Sequence, residues 1–418
     1  MEKEELFKRK KKVKKSYSVK RFLFKKPKIK YEKIDNDKDK MDKINNNTIQ
    51  KVKVRNPGVD FARIISMYAI IIHHIIIHGG LINKYYQYKE LILMNISSYW
   101  HVSCYALISG YIGYKSNKYS NLLYLSLCTI FYSSIITYFV NKYRPKFYTR
   151  KLIYKDFFPV TFDVYWYFTR YFGMYLFLPV INKGIESLNK SELRMVFISL
   201  IFIFVIVKDY MNPKGDPFRV CDGYSVVWLL ICYLTGAYFG KFKHDYHGIK
   251  KFIYYFVNII VFYYSTIFCY KTPQKPIIYD NGFNKFKLKK FFERIFVQRI
   301  NSVPMILQSI CVLLFFTQIK YNKYLAKIIR FIGPLTFGIY LIHDNPLIRD
   351  NIVKYLFKKD PYSLPLNIVI KLILLRGLKI FGICSLIDYL RYIIFTFLRI
   401  RTICIFVEKI IFKIVNFY

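Results

Sequence analysis

The chain has 418 residues, 54% of them apolar, and carries 67 Lys+Arg against 25 Asp+Glu for a formal net charge of +42. Strong charge normally accompanies low hydrophobicity, whereas 39 Phe, 40 Tyr and a mean hydropathy of +0.20 demand a large buried apolar surface. Disorder over the whole length is excluded, leaving either a very basic soluble protein or a membrane protein whose charge lies outside its spans. The 8 Cys form no C-x-x-C pair and fall mostly inside apolar runs. They read as small buried hydrophobes, with no disulfide framework and no zinc site expected.

Residues 1–55 hold 21 Lys+Arg and 8 Asp+Glu, a net +13, and positions 7–30 contain 13 basic residues and no acid. A nuclear-localisation or nucleic-acid patch is one reading of such a run. A largely disordered juxtamembrane tail, held on the cytoplasmic side by the positive-inside rule, better suits the apolar runs that begin near Asp60, and no nucleic-acid partner is expected. No apolar stretch succeeds the basic run before Asn56, so it is not read as a signal peptide.

From Asp60 onward the pattern changes to long apolar runs separated by short basic loops. The runs are about the length needed to cross roughly 30 Å of hydrocarbon at about 1.5 Å per residue. About ten candidate spans lie near 61–79, 91–114, 122–140, 163–181, 195–207, 223–240, 252–270, 303–319, 331–348 and 367–390. They are mostly apolar on all faces, which a soluble amphipathic bundle would not show. The fold expected is all-α, a polytopic membrane helix bundle of about ten transmembrane helices over 56–398, with a basic amphipathic segment at 399–418. Lys-rich stretches such as 142–155 and 285–290 fall in loops on both sides. The tail alone therefore sets the expectation that both termini are cytoplasmic, in a multi-pass protein of the cell membrane.

Ionisable residues inside a span are costly, and each is a functional-site hypothesis. The first span has the densest set: Asp60, Arg63, His73, His74 and His78. Arg63 and His74 are eleven residues apart. At about 100° per residue that is three turns plus about 20°, so both lie on one face, about 16 Å apart along the axis, a spacing that suits the two ends of a long ligand. An arginine fork near the inner rim matches phosphate, and a deeper histidine can take a proton from a hydroxyl. The blander account has Arg63 snorkelling to the interface and His74 bonding a neighbouring helix. His74 and His78, at i and i+4, could hold a metal only with a third ligand such as His101, and no metal is expected.

Asp60-x-x-Arg63, followed by ten residues and His74, resembles the R-X10-H signature of the acyltransferase family 3 integral-membrane enzymes. Further segments resemble that family in order: Leu107-Ile108-Ser109-Gly110-Tyr111, Trp166-Tyr167-Phe168-Thr169 with Pro179-x-x-Asn182, Leu234-Thr235-Gly236-Ala237-Tyr238, and Thr336-Phe337-Gly338-Ile339-Tyr340-Leu341-Ile342-His343. The continuation Asp344-Asn345-Pro346-Leu347 is similar to the branch that O-acylates surface polysaccharides. The resemblance runs from about Gly58 to about Arg391. It implies a ten-helix bundle that takes an acyl group, usually acetyl, from cytosolic acyl-CoA as donor substrate and delivers it to a glycan hydroxyl, with no permanently bound cofactor. Carried over, His74 is the essential histidine and Arg63 the essential arginine, which would also bind the donor. The partners implied are membrane lipid, acyl-CoA and a glycan acceptor. His73 makes a doublet in which only His74 fits the spacing, and the family gives the basic tail no role.

The supporting residues carry paired readings. Asp60 either orients Arg63 or caps the helix. His343 either lines the same cavity or braces its own segment. Ser109 with Gly110 reads first as close helix packing and second as a ligand contact. Trp166, with Tyr167, either stacks a sugar or belongs to an interfacial aromatic belt. Arg170 either holds an anionic group or ends at the interface. The rival class is a transporter or flippase for lipid-linked glycans, which would show internal repeats that this sequence lacks.

Overall fold

In the run beginning at Pro57 the sequence dictates a helix start: the Asn56 side chain accepts from the Gly58 amide at 2.8 Å, Pro57 supplies a preset φ, and Asp60 places negative charge in the first turn. The resulting helix α1 spans Pro57–His78 and ends at Gly79-Gly80, where Gly80 has φ +69°. The computed structural model describes residues 55–143, 150–211, 215–271 and 299–415. The basic tail, apart from Arg55, and the Lys285–Lys290 stretch lie outside the described residues, so the cytoplasmic placing drawn from them is not addressed by the fold.

Every regular element among the described residues is helical. After α1 come α2 (Lys89–Ile96), α3 (Trp100–Gly113), α4 (Tyr119–Tyr143), α5 (Trp166–Ser187), α6 (Lys190–Ile201, prolonged by a π-helical turn at Phe202–Val207), α7 (Val226–Lys241), α8 (Ile249–Lys271), α9 (Val303–Gln318), α10 (Lys323–Ile332), α11 (Thr336–His343), α12 (Leu366–Phe397) and α13 (Ile400–Val415). All ten expected apolar runs fall on helices, but the expected count of about ten spans is not confirmed. Four stretches are long and apolar enough to cross a membrane: Pro57–His78, Lys89–Gly113, Tyr119–Tyr143 and Lys323–His343. Val226–Lys241 and Val303–Gln318 are apolar but shorter. Others carry charge within the helix, as α12 does at Lys371, Arg376, Lys379, Asp388 and Arg391.

Two of the four candidate spans are broken. The second is interrupted at Ser97–Tyr99 between α2 and α3, and the fourth at Gly333–Leu335, a 3-10 turn between α10 and α11. Irregular backbone at membrane depth is tolerated where protein surrounds it, and here both breaks face α1. A Cβ on Gly333 would lie 2.7 Å from the Asp60 Cβ, so only glycine lets the turn come so close.

α3 and α7 form the tightest pair. A Cβ on Gly110 would meet the Tyr233 carbonyl oxygen at 1.9 Å, and one on Gly236 would meet the Leu107 carbonyl oxygen at 2.0 Å. Small residues thus let two backbones touch where lipid-facing hydrophobicity gives helices no reason to associate. α12 is tied differently. Its Asp388 accepts from Arg391 Nε at 2.6 Å and from the Tyr132 hydroxyl of α4 at 2.8 Å, while Arg391 Nη1 donates to the Tyr124 hydroxyl at 2.9 Å. In the loop before α12, Asp360 is gripped by both guanidinium arms of Arg376 from α12, which hold its carboxyl below the usual carboxylate range, and Lys84 donates to the Asp360 carbonyl. Among the described cysteines, Cys104, Cys128, Cys232, Cys311, Cys384 and Cys404 are buried free thiols, as their apolar surroundings suggested. Cys221 departs from that expectation: it is exposed, on a turn with φ +50°.

The buried Asp388–Arg391 pair gives a test of what holds α12. Arg391→Met strands a buried carboxylate and is expected to destabilise by about 3–5 kcal/mol, read as a lower thermal unfolding midpoint in lipid nanodiscs. The double variant Asp388→Ala/Arg391→Met removes both charges and should recover more than half of that loss. A double variant no more stable than the single one would show that the helix is not anchored through this pair.

Candidate active site

α1 presents its polar groups in two clusters. At its inner-numbered end Asp60 is fully buried, and its Oδ1 accepts from Arg63 Nη1 at 2.8 Å and from the Arg55 guanidinium. Asn56, not Asp60, is the helix cap, and the Asp60 carboxylate is in contact with Arg63. The Arg63 carbonyl accepts from the Tyr105 hydroxyl of α3 at 3.0 Å, which fixes α3 beside this turn.

Three turns further on, five of the chain's 7 His gather. The His74 ring lies 5.2 Å from that of His343 and 5.4 Å from that of His78, while the neighbouring His73 ring lies 5.5 Å from His101. The doublet is thereby divided: His73 turns toward α3 and Tyr99, and His74 turns toward α11. Among the described residues no group of three or more His, Cys, Asp or Glu is placed to hold a metal ion.

The two hydrogen bonds of this cluster assign the tautomers. His343 Nδ1 lies 2.6 Å from the Ile339 carbonyl, which only accepts, so Nδ1 carries the proton and the neutral ring offers Nε2 as an acceptor. His74 Nδ1 is 3.2 Å from that Nε2 and must therefore be the donor. The bare nitrogen of neutral His74 is Nε2. An imidazole held in this way can accept a proton or attack an electrophile at Nε2 without first losing a proton from that atom.

Between the two clusters lies a partly open cavity of about 50 Å³. α1 lines it with Met67, Ile70 and His74, α3 with His101, Val102 and Tyr105, α5 with Trp166 and Tyr167, and α11 with Phe337 and Tyr340. Met67, Ile70 and His74 follow the i, i+3, i+7 spacing of one helix face, and Arg63 lies one turn before Met67. The wall is apolar and aromatic apart from the imidazoles and phenols, a composition suited to a small, partly apolar ligand.

The expected residues divide accordingly. His74 and Trp166 line the cavity, and Trp166 also packs on Tyr224 with ring centroids 4.5 Å apart. Tyr167 lines it too. His343 stands behind His74 and is not a wall residue: it both braces α11, through Ile339, and meets His74. Arg170 is turned to Asp163 and to the Tyr224 carbonyl, away from the cavity wall. Ser109 donates to the Tyr105 carbonyl of its own helix at 3.1 Å, and Gly110 beside it makes the close contact with α7, which is the packing reading. Arg63 stays with Asp60 beyond the cavity's end. Nothing in the sequence singles out Tyr105, because in a chain with 40 Tyr no spacing sets it apart, and Tyr340 falls inside the Thr336–His343 segment without a role of its own.

Residues 56–384 match a protein family described as an acyltransferase domain, acyltransferase family 3. The chain belongs to acyltransferase family 3. No curated protein and no solved structure matches it. The chain is accordingly an acyltransferase with membrane helices, and the family match takes in α1 to most of α12, including both clusters and the cavity between them.

If the acyl group passes through this cavity, filling it must stop turnover. Val102→Trp places an indole into the space from α3, and acyl transfer is expected to fall at least about tenfold while the amount of membrane-inserted protein stays normal. Undiminished transfer by a normally inserted variant would place the chemistry elsewhere.

Proposed function

We propose that the protein moves an acyl group, acetyl first, from cytosolic acyl-CoA to a hydroxyl of a surface or exported polysaccharide. The observation that carries this reading is His74, a cavity-wall imidazole whose Nδ1–H is engaged by His343 and whose Nε2 is left bare. In the proposed reaction His74 Nε2 takes the proton of the acceptor hydroxyl as its oxygen attacks the thioester carbonyl carbon. A C–O bond forms, the C–S bond breaks, and the imidazolium returns the proton to the departing thiolate. In a variant, Nε2 first attacks the thioester carbonyl, an N–C bond forming as the C–S bond breaks and the thiolate leaves; the acceptor oxygen then attacks the acyl-imidazolium, the N–C bond breaks, and the hydroxyl proton passes through Nε2 to the thiolate.

Arg63 is assigned to the donor. Asp60 holds one arm of its guanidinium, and the rest of the fork suits a phosphate of CoA, while about 16 Å of helix between Arg63 and His74 separates that phosphate from the thioester. Trp166, beside the exposed Tyr224, is assigned to a sugar ring of the acceptor. The basic tail supports a plasma-membrane protein with a cytoplasmic N-terminus, in keeping with a cytosolic donor, and its charge attracts anionic lipid.

Membranes incubated with radiolabelled acetyl-CoA should pass label into the polysaccharide fraction. His74→Ala, at normal protein level, is expected to lower this by at least about a hundredfold; retained label transfer would remove His74 from the reaction, and no transfer by the wild-type protein would favour a transport role. Arg63→Lys keeps the charge and loses the planar fork, so the KM for acetyl-CoA should rise about tenfold or more while kcat changes less. An unchanged donor KM would show that Arg63 does not hold phosphate.

A further inference from the structure

The acid at position 344 is not part of the R-X10-H signature, yet it ends up behind the same imidazole. Asp344 follows the last residue of α11 and is buried. Its Oδ1 lies 3.5 Å from His74 Nδ1 and 3.4 Å from Arg349 Nη1. At the first distance it is within ion-pair reach of a charged His74 and short of a hydrogen bond to a neutral one. Its neighbours leave it little freedom. His343 is tied to Ile339 and His74, and Asn345 donates to the Tyr165 hydroxyl of the segment leading into α5 at 2.8 Å while accepting from the Leu347 amide. Three consecutive side chains therefore pin this corner to α1 and α5.

We propose that Asp344 is a positioning residue for His74: with His343 Nε2 it keeps the imidazole proton on Nδ1, presents Nε2 to the cavity, and stabilises the imidazolium that exists while His74 holds the acceptor's proton. This rests on His74 acting as the base. The division of labour comes from the distances. In the resting neutral ring the Nδ1–H is satisfied by His343 at 3.2 Å, and the carboxylate contributes little. Once Nε2 takes a proton the ring is cationic in a cavity walled by aromatic and aliphatic groups, and a carboxylate 3.5 Å away then stabilises the charge far more than it would in water. Because this attraction exists only after proton transfer has begun, it lowers the barrier and leaves ground-state binding alone. Arg349 lies within ion-pair reach of the same carboxylate and offsets part of the cost of burying it. The logic is that of a carboxylate behind a general-base histidine, here shared between an acid and a second imidazole.

The test uses the full-length protein in lipid nanodiscs with acetyl-CoA and its polysaccharide acceptor. Asp344→Asn keeps the shape and removes the charge; kcat is expected to fall about tenfold or more with both KM values unchanged, and Asp344→Glu should restore part of the loss. A purely structural role would leave kcat per inserted molecule unchanged or raise both KM values without that split, and would overturn the inference. His74→Ala measured alongside separates the two ideas. Loss with His74→Ala but full kcat with Asp344→Asn overturns only the role of Asp344, whereas retention by both overturns His74 as the base. Should Asp344→Asn fail to insert, the wild-type protein still decides. With 15N-labelled histidine, and His74→Asn to assign the signal, the His74 ring should carry its proton on Nδ1; a proton on Nε2 would overturn the proposed arrangement.

Discussion

A carboxylate that is fully buried inside an apolar bundle can persist only if the chain brings cations and close-fitting backbone to it, and Asp60 imposes that demand on everything around it. Arg63 meets it from the same helix face and Arg55 from the residue before the cap. Arg55 is itself held, since its carbonyl accepts from Arg330 Nε of α10 at 3.1 Å. The turn after α10 must then pass over the carboxylate at van der Waals distance, which Gly333 permits. Breaking the fourth candidate span at that turn starts α11 afresh and sends His343 and Asp344 up along α1 to the level of His74. The charge at one end of α1 and the imidazole pair at the other are thus linked by a single rigid segment.

α11 is only eight residues long, and it is held on both sides by polar groups in a setting where water cannot compete for them. Toward α1 it offers His343. Toward α12 it offers Gly338, where a Cβ would lie 1.7 Å from Asp388 Oδ1, so the carboxylate of the Asp388–Arg391 pair rests on bare backbone. Tyr132 and Tyr124 of α4 complete that network. The position of the His343 ring, and with it the tautomer of His74, therefore depends on a charge pair one helix away. Packing of Leu and Ile alone would leave α11 free to slide, since lipid tails solvate such a surface as well as another helix does.

The sequence was most legible where chemistry forbids ambiguity. An arginine and histidines inside an apolar run can hardly be filler, and three full helical turns put Arg63 and His74 on one face without knowledge of any other element. Gly110, beside Ser109, is readable as close packing, whereas the matching contact at Gly236 is a relation between runs that the sequence does not show. What could not be read were relations between runs. The ninth apolar run looked like one span, and only its neighbour Asp60 shows why it breaks at Gly333-Pro334. Arg170, so near Trp166 in sequence, is drawn off by Asp163, a residue at φ +52° whose turn no spacing rule anticipates. Asp344 stands in plain view beside a recognisable motif, but no spacing marks it out until a third element brings His74 to it.

The arrangement along α1 also bears on how a transferase of this kind, on the proposed mechanism, avoids spending its donor on water. A thioester is hydrolysed by any base that can deprotonate a water beside it, so the base must be shielded until an acceptor hydroxyl occupies the water's place. The His74 side chain is buried and the cavity wall it shares is built largely from Met67, Ile70, Val102 and aromatic rings, which hold water poorly. The permanently charged group, Arg63, is kept about three turns away, beside Asp60. On the proposed mechanism, placing both on one helix keeps the charge assigned to the donor and the neutral base assigned to the acceptor close enough to share a long substrate and far enough apart to act separately.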